Sequence, residues 1–268
     1  MAMQALEAGK HVVVEKPFTQ TVGQANELIN KAEQKGVVLS VFQNRRWDGD
    51  FLTVQKVIRE RSLGQLVSFE SHFDRFRNFV QASWKEEDSL GAGTLYNLGS
   101  HMIDQALMLF GKPESLFAVI RALRPGSRVD DSFDIFLNYP GVKCFIRGSY
   151  LVKEEGPRYI LHGVQGSFLK FGIDPQEEAL KAGQLPVSKD WGKDTPERYG
   201  ILHTEVKEKD RREAFPTLPG NYPAYYDNIY EVIRQDAPLA VTPDQAREVI
   251  RIIEAAYRSS RMNRVIQL

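Results

Sequence analysis

A period-two alternation of apolar and polar residues recurs beyond residue 65 and constrains this fold more than any other feature. In residues 66–76, for example, Val67, Phe69 and Phe73 alternate with polar residues. Such alternation predicts strands with one packed face and one face in water. The other strands that the pattern predicts are 116–123, 132–139, 142–150, 159–163 and 167–171, with a tight hairpin turn at Tyr139-Pro140-Gly141. The pattern predicts a large, mostly antiparallel sheet.

The first 44 residues have a different texture. Residues 2–8 resemble the end of a helix that stops at Gly9, and residues 11–14 and 37–42 are apolar runs typical of buried strands. Between them, Thr21 and Gln24 resemble a capping box that opens a helix ending at Gly36. Strand, helix and strand in this order predict a parallel sheet. Because the chain opens on half a helix, we expect it to derive from a longer protein.

Together these patterns predict an α/β plus α+β protein. Residues 1–44 are predicted to be the C-terminal half of a doubly wound (Rossmann) parallel sheet. Residues 45–268 are predicted to be a second domain, a large mostly antiparallel sheet with flanking helices. We predict those helices at 50–61, at 225–234 and after Thr242-Pro243-Asp244. Residues 174–220 are polar and weakly periodic, which predicts a long surface excursion.

Charge and cysteine content exclude several classes of function. The chain has 35 basic and 35 acidic residues, which gives no sign of a nucleic-acid partner. It has no apolar run near the ~20 residues of a membrane span and no signal pattern at its start. The only cysteine, Cys144, excludes an intramolecular disulfide and favours the cytoplasm. We therefore predict a cytoplasmic protein with no membrane partner.

Residues 91–111 are predicted to form a helix with a polar face. At ~100° per residue, Asn97, His101 and Asp104 fall within a narrow arc. Glycines at 91, 93 and 99 are costly in or beside a helix, which is consistent with a close approach by a substrate or by another backbone. The alternative is a helix packed on a sheet, with its histidine bonded to a backbone carbonyl.

Two further motifs connect this helix to a known family. Glu15-Lys16-Pro17 follows the strand at 11–14, and Asn44-Arg45-Arg46-Trp47-Asp48 follows the strand at 37–42. Together with Asn97 and His101, they resemble the Gfo/Idh/MocA family of nicotinamide-dependent sugar and polyol dehydrogenases, and within it the inositol dehydrogenase branch. The resemblance runs through the whole chain. Taken alone, Glu-Lys-Pro is an ordinary charged turn.

The resemblance implies an oxidoreductase that transfers a hydride between NAD(P) and a sugar or an inositol-like polyol, with NADP slightly favoured over NAD. The implied catalytic residues are Lys16, His101 and Asn97; the cofactor residues are Glu15, Lys16, Pro17, Asn44 and Trp84; and the substrate residues are Arg45, Tyr96, Asp104 and Tyr222. Of the pair Arg45 and Arg46, we expect at least one to be an ordinary surface arginine that makes salt bridges. The family also implies that residues 45–268 are the substrate and dimerisation domain. It implies a homodimer or homotetramer that associates through the C-terminal sheet of this domain.

Two departures from the family pattern shape the expected chemistry. The chain has no G-x-G-x-x-G turn, which in the family binds the cofactor phosphates. Asn97 stands where most members have Asp, and an amide brings no charge to stabilise an imidazolium. We therefore expect Lys16 to be the base, with a pKa lowered by burial, and His101 to act as a hydrogen-bonding or relay group. The alternative is a redox-inactive relative that acts as a dimerising or sugar-binding module.

Two local hypotheses complete the predictions. A cis bond between Lys16 and Pro17 would aim the lysine into the site, and X–Pro bonds adopt the cis form at low cost. The histidines at 11, 72, 162 and 203 show no metal-ligand spacing, so we predict no metal.

Overall fold

The computed structural model describes residues 1–206 and 209–268. The chain opens with a small β-α-β unit. Helix α1 (Ala2–Glu7) leads into strand β1 (Val12–Val14), helix α2 (Val22–Lys35) and strand β2 (Leu39–Val41). The two strands pair in parallel, with Val12 opposite Leu39 and Val14 opposite Val41. The parallel arrangement predicted for residues 1–44 is confirmed, and the Lys16–Pro17 peptide bond is cis.

Helix α2 begins and ends where its sequence signals lie. The Thr21 hydroxyl accepts a bond from the Gln24 backbone N–H at 3.2 Å, and Gly36 ends the helix with a φ of 60°. The Gln24 side chain caps Gln20 N rather than Thr21 N, so only half of the predicted capping box forms. Ala25, Ile29 and other apolar side chains of one helix face are buried.

A nine-stranded sheet is the larger of the two sheets in the described residues. Its strands are β3 (Leu66–Asp74), β4 (Ser115–Arg121), β5 (Ser132–Tyr139), β6 (Val142–Ser149), β7 (Tyr159–Gly163), β8 (Gly166–Lys170), β9 (Gly200–Val206), β10 (Lys209–Phe215) and β11 (Ile266–Gln267). They lie in the order β10-β9-β8-β7-β3-β6-β5-β4-β11. β3 and β6 are parallel and the other pairs are antiparallel, so the predicted mostly antiparallel sheet is confirmed.

Helices α4 (Ser100–Phe110) and α7 (Pro243–Met262) pack on one face of this sheet, α7 on β4. Helix α3 (Gly49–Arg59) places Phe51 against Tyr159 of β7, and helix α6 (Pro223–Gln235) packs beside the residues that follow β2. Along β5, Phe133, Ile135 and Leu137 are buried under the helices, whereas Asp134 on the other face is exposed. The alternation in the sequence therefore does mark one packed face and one open face.

The prediction for residues 174–220 was wrong. This segment contains the short helix α5 (Gln176–Lys181), strand β9 and the edge strand β10, although residues 207 and 208 lie outside the described part. Most side chains of β10 are exposed. An edge strand with so little burial lacks the apolar alternation by which packed strands are recognised, and its charged side chains suit a sheet edge.

Candidate active site

A cavity of about 460 Å³ opens at the C-terminal ends of β1 and β2, the edge at which open parallel sheets bind ligands. The turn after β1 and the turn after β2 face the start of the helix that precedes α4. Six residues predicted for the site line this cavity: Glu15, Lys16, Asn44, Arg45, Asn97 and His101. We call it the catalytic pocket after the role predicted for these residues. The fold thus brings together predicted residues as far apart in the sequence as Glu15 and His101, which are 86 positions apart.

Lys16 is held against Asn97. Its Nζ atom donates to the main-chain oxygen of Asn97 at 2.7 Å and lies 3.3 Å from the side-chain Oδ1. The Asn97 amide nitrogen lies 3.5 Å from the hydroxyl of Tyr150. Asn97 therefore supplies two acceptor oxygens to the lysine and links it to a residue of the large sheet.

The helix that carries Asn97 and His101 is not a uniform α-helix. Leu95–Gly99 forms a single π-helical turn, and α4 continues from Ser100. His101 is only 5% exposed and lines the pocket together with Asn97. Single π-helical turns within α-helices occur frequently at functional sites. The turn keeps both side chains on the pocket side.

Gly93 has a different role from the one predicted. Its φ is +93°, and a Cβ atom at this position would lie 2.2 Å from Oδ1 of Asp130. The close approach is thus made by a carboxylate of the protein rather than by a substrate or another backbone. The same Asp130 accepts bonds from Leu95 N through Oδ2 at 2.7 Å and from Thr94 N through its main-chain oxygen at 2.9 Å. Asp130 therefore fixes the start of the helix.

Asp104, predicted as a substrate residue, lies outside the pocket. Its two carboxylate oxygens accept bonds from Arg46 at 2.7 and 2.8 Å, and both side chains are buried. Three residues of α-helix turn the chain by about 300°, so Asp104 is rotated by about 60° from His101. This rotation is enough to direct it toward Arg46. Arg46 does make a salt bridge, as expected of at least one of the two arginines, but both arginines are buried and not at the surface.

Tyr222 also lies away from the pocket. Its hydroxyl donates to Asp48 at 2.7 Å, and Arg45 donates to the other oxygen of Asp48 at 3.0 Å. Burial raises the pKa of Asp48 to about 8 against the opposing effect of the Arg45 charge. Tyr222 therefore stabilises a buried carboxylate and does not reach the site predicted for the substrate.

Three further predicted residues do not line the catalytic pocket. Tyr96 donates its hydroxyl proton to Gln20 O at 2.7 Å, and its ring stacks on Tyr257 beside a second cavity, so it is not placed to bind a substrate at Lys16. Pro17 does not line the pocket either. Trp84 is 60% exposed and follows Ser83, which does line it. A cofactor contact of Trp84 stays a prediction.

Several residues that line the pocket were not predicted: Arg75, Arg77, Glu86, Tyr150, Glu177 and Lys181. Burial opposes ionisation of Glu177, but the charges of Arg45 and Lys181 outweigh it and lower the pKa of Glu177 to about 2. The Glu177–Lys181 spacing of four residues does indicate a helical turn. That spacing does not indicate where the turn lies in the fold, so it could not place Glu177 and Lys181 at the pocket.

The described residues contain no group of three or more His, Cys, Asp or Glu side chains able to hold a metal ion. Nor do they include a helix of the length and apolarity needed to cross a lipid bilayer.

A parallel β-α-β unit lies next to a large open sheet, and Lys16, Asn97 and His101 line the pocket between them. This arrangement is typical of a class of two-part oxidoreductases. Comparison with family models agrees with this class. The model for the C-terminal α/β domain of the oxidoreductase family matches residues 55–268, and the model for its NAD-binding Rossmann fold matches residues 1–43. The chain belongs to the Gfo/Idh/MocA family of oxidoreductases.

Its relatives align with nearly the whole chain. It is 46% identical over 266 residues to scyllo-inositol 2-dehydrogenase (NADP(+)) IolW of Bacillus subtilis, which covers 99% of this chain and 74% of the relative. It is 47% identical to the uncharacterized oxidoreductase YdgJ of Escherichia coli, over 97% of this chain and 75% of that protein. The solved structure of the oxidoreductase yvaA from Bacillus subtilis matches all of the chain and 76% of its own length, with a TM-score of 0.97 and 45% identity.

Proposed function

We propose that this chain carries the active site of a cytosolic NAD(P)-dependent dehydrogenase that acts on a secondary alcohol of a sugar or of an inositol-like cyclic polyol. The observation that carries the proposal is the contact between Lys16 Nζ and Asn97 in a pocket that His101 also lines. An amine and an imidazole at one sheet edge are the acid–base groups that alcohol oxidation needs. The name of the relative IolW supports an inositol-type substrate and NADP.

Lys16 is the base in this proposal. Its Nζ takes the proton of the reacting hydroxyl as the carbon–oxygen double bond forms, which requires a neutral amine before reaction. When bound, the nicotinamide accepts the hydride from the same carbon. The lowered pKa of Lys16 remains a prediction. Asn97 holds the lysine from one side, so the amine keeps its position while it exchanges the proton.

His101 and Asn97 orient the substrate in this proposal. His101 forms a hydrogen bond to the reacting hydroxyl and relays its proton, and burial of the ring restricts its rotation. Arg45 is proposed to donate to a neighbouring hydroxyl. It lines the pocket, and its bonds to Asp48 and Glu177 fix the guanidinium in place.

The residues present fit the nicotinamide end of the cofactor. Glu15 and Asn44 line the pocket at the ends of β1 and β2, the edge expected to bind a dinucleotide. A pocket of about 460 Å³ is within the usual range for small ligands. The 268 residues contain no G-x-G-x-x-G turn. We propose NADP over NAD on the name of IolW alone.

Titration of the purified chain with NADPH and NADH, followed by nicotinamide fluorescence, tests this proposal. We expect saturable binding that Lys16→Ala weakens and that the control Lys10→Ala, which changes an exposed lysine, leaves unchanged. Addition of scyllo-inositol should then alter the fluorescence of the bound cofactor. Binding that is equal in all three proteins would contradict a cofactor site at Lys16.

A second candidate function rests on the open face of the large sheet. Phe136 and Phe145, which are only partly buried, lie on this face with their ring centroids 5.0 Å apart, beside the partly buried Phe117. We propose that this face joins two copies of the chain in a homodimer or homotetramer, because apolar surface is favourably buried on a symmetric partner. A chain that associates and binds polyols but no nicotinamide cofactor would be a dimerising or sugar-binding module. Sedimentation velocity on wild type and Phe145→Glu tests the association.

A further inference from the structure

A second cavity, of about 820 Å³, lies on another side of the helix that carries Asn97. None of the described residues that line it also lines the catalytic pocket. Its walls come from four segments of the chain: residues 20–22, residues 88–96, residues 120–130 and the C-terminal half of α7. Nothing in the proposed dehydrogenase chemistry uses this volume.

Arginine side chains surround this cavity. Five of them line it: Arg121, Arg128, Arg251, Arg258 and Arg261, and all five are exposed. Three of the five, Arg128, Arg258 and Arg261, form no ion pair or side-chain hydrogen bond with another described residue. The whole chain has no net charge, so this concentration of guanidinium groups is local. We call the site the arginine-rimmed cavity.

The acidic residues of the cavity are three against five arginines, so they offset only part of the charge of this rim. Asp130 accepts a bond from the Tyr257 hydroxyl at 2.5 Å in addition to its bond from Leu95 N. Burial raises the pKa of Asp130, which favours its neutral form. Glu254 accepts a bond from Val22 N at 2.9 Å. Two of the three lining carboxyl groups thus serve the protein's own donors, and the third, Asp88, is exposed.

The inner wall can hold a hydroxylated body. The rings of Tyr96 and Tyr257 stack with centroids 5.9 Å apart, and both line the cavity. Each oxygen of Asp130 and Glu254 can accept more than one hydrogen bond, so a ligand hydroxyl can donate to them without displacing the protein's own donors. The cavity therefore combines cationic groups at its rim with hydroxyl-binding groups and ring faces inside.

We propose that the arginine-rimmed cavity binds a small hydroxylated organic phosphate, such as a phosphorylated sugar or polyol, at a site separate from the catalytic pocket. The three phosphate oxygens can accept bonds from several guanidinium groups at once, which a single carboxylate does less well. The hydroxyls of the ligand face Asp130 and Glu254. Because the rim is exposed, the affinity falls as the salt concentration rises.

We infer that occupation of this cavity acts on the catalytic pocket through hydrogen bonds that connect their walls. Tyr96 is bonded to Gln20 O, four residues after Lys16, and Gln20 Nε2 donates to Leu90 O at 2.6 Å. Asp130 holds the first turn of the helix that carries Asn97. A ligand that contacts Tyr96 and Asp130 therefore acts on the helix that carries Asn97. Through the bond from Tyr96 to Gln20 O, it also acts on the segment that follows Lys16. It would change the environment of His101.

Isothermal titration calorimetry of the full chain with glucose 6-phosphate tests the site. We expect saturable binding that is weakened by at least about tenfold in the double variant Arg128→Gln/Arg258→Gln, because each loses a charge-assisted bond. The control Arg59→Gln/Arg234→Gln removes the same charge from exposed arginines elsewhere, and it should change the affinity by less than about twofold. Lys16→Ala should leave this binding unchanged.

Other outcomes would overturn the proposal. Glucose that binds as well as its phosphate would remove the role of the rim, and inorganic phosphate that binds as well would remove the role of the inner wall. Loss of binding in Lys16→Ala would place the ligand in the catalytic pocket. Absence of binding, together with a lower oligomeric state of the rim variant in sedimentation velocity, would make the cavity an interface between copies.

The link to the catalytic pocket has its own measurement. The chain has five histidines, so the imidazole resonances can be resolved by NMR and that of His101 assigned with His101→Gln. Saturation with glucose 6-phosphate should shift the His101 resonance in wild type and leave that of the exposed His162 in place. Binding without a shift at His101 would contradict the link between the two sites.

Discussion

The small β-α-β unit and the nine-stranded sheet domain contribute unequally to the same pocket. The small unit has two strands of three residues each, yet it provides Lys16. The sheet domain provides Asn97 and His101 on a helix that packs against a large buried core. The proposed base, Lys16, thus belongs to the part with the smaller, two-stranded sheet. Its position depends on the bonds that join that part to the sheet domain.

Buried polar bonds form this joint. Arg46 follows β2 and makes two bonds to Asp104 of α4, as well as bonds to Ala240 O and Gln245 Oε1. Ser40 of β2 donates to Val241 O at 2.9 Å. These contacts hold β2 against α4 and α7. Asp104, which the sequence suggested as a substrate residue, is better described as part of this joint.

Asp104→Ala should have the largest effect on stability. It leaves the Arg46 guanidinium buried without its carboxylate, which costs roughly 3–5 kcal/mol. The matched control is Asp134→Ala, which breaks an Arg147 ion pair that is half exposed and contributes about 0–1 kcal/mol. Urea unfolding measures both changes. Equal losses in the two variants would show that the joint contributes no more than a surface ion pair.

Gly93→Ala should have an intermediate effect. The new Cβ would lie 2.2 Å from Asp130 Oδ1 at a φ of +93°, and relief of the clash must move the start of the catalytic helix. We expect a loss of about 1–3 kcal/mol, the usual cost of such strain. Gly126→Ala is the control, because Gly126 has a φ of +78° with open space around it. If both variants lose the same stability, backbone conformation alone explains the effect and the contact with Asp130 does not contribute.

Tyr222→Phe should have a smaller effect. The variant removes one donor from the buried Asp48 while Arg45 still pairs with it. We expect a loss of about 1–2 kcal/mol in unfolding free energy. Tyr230→Phe, at an exposed tyrosine of α6, should be neutral. Weaker polyol binding in Tyr222→Phe without any loss of stability would restore Tyr222 as a substrate residue.

The smallest predicted effect concerns pH. In the folded protein the pKa of Glu177 is lowered from 4.5 to about 2, so its ionised form stabilises the fold above pH 4.5. This contribution is lost as the pH falls from 4.5 through 2. The difference in unfolding free energy between wild type and Glu177→Gln should therefore shrink over that window. A difference that stays constant with pH would contradict the ion pair between Glu177 and Arg45.

The sequence predicted the regular core better than the site. Alternation predicted β5 and β7 with the bounds observed, because each packs one face against helices. The Glu-Lys-Pro and helix motifs led to Lys16, Asn97 and His101. Local spacing could not show that Arg46 forms an ion pair with Asp104, which is 58 positions away, or that the Tyr222 hydroxyl donates to Asp48. Nor could it show that α5 and the edge strand β10 follow an apparent loop, since few of their side chains are buried.

The most direct test of the account is the rate at which scyllo-inositol reduces NADP⁺ in wild type, Lys16→Ala and Lys10→Ala, measured beside their unfolding free energies. We expect turnover in wild type and Lys10→Ala and a loss of about 10²–10⁴-fold in Lys16→Ala, the usual contribution of a general base. The unfolding free energy should change by no more than about 1 kcal/mol. An unchanged rate in Lys16→Ala, or a wild type that neither turns over nor binds NADPH, would contradict the claim that the two parts of the chain form one active site at Lys16.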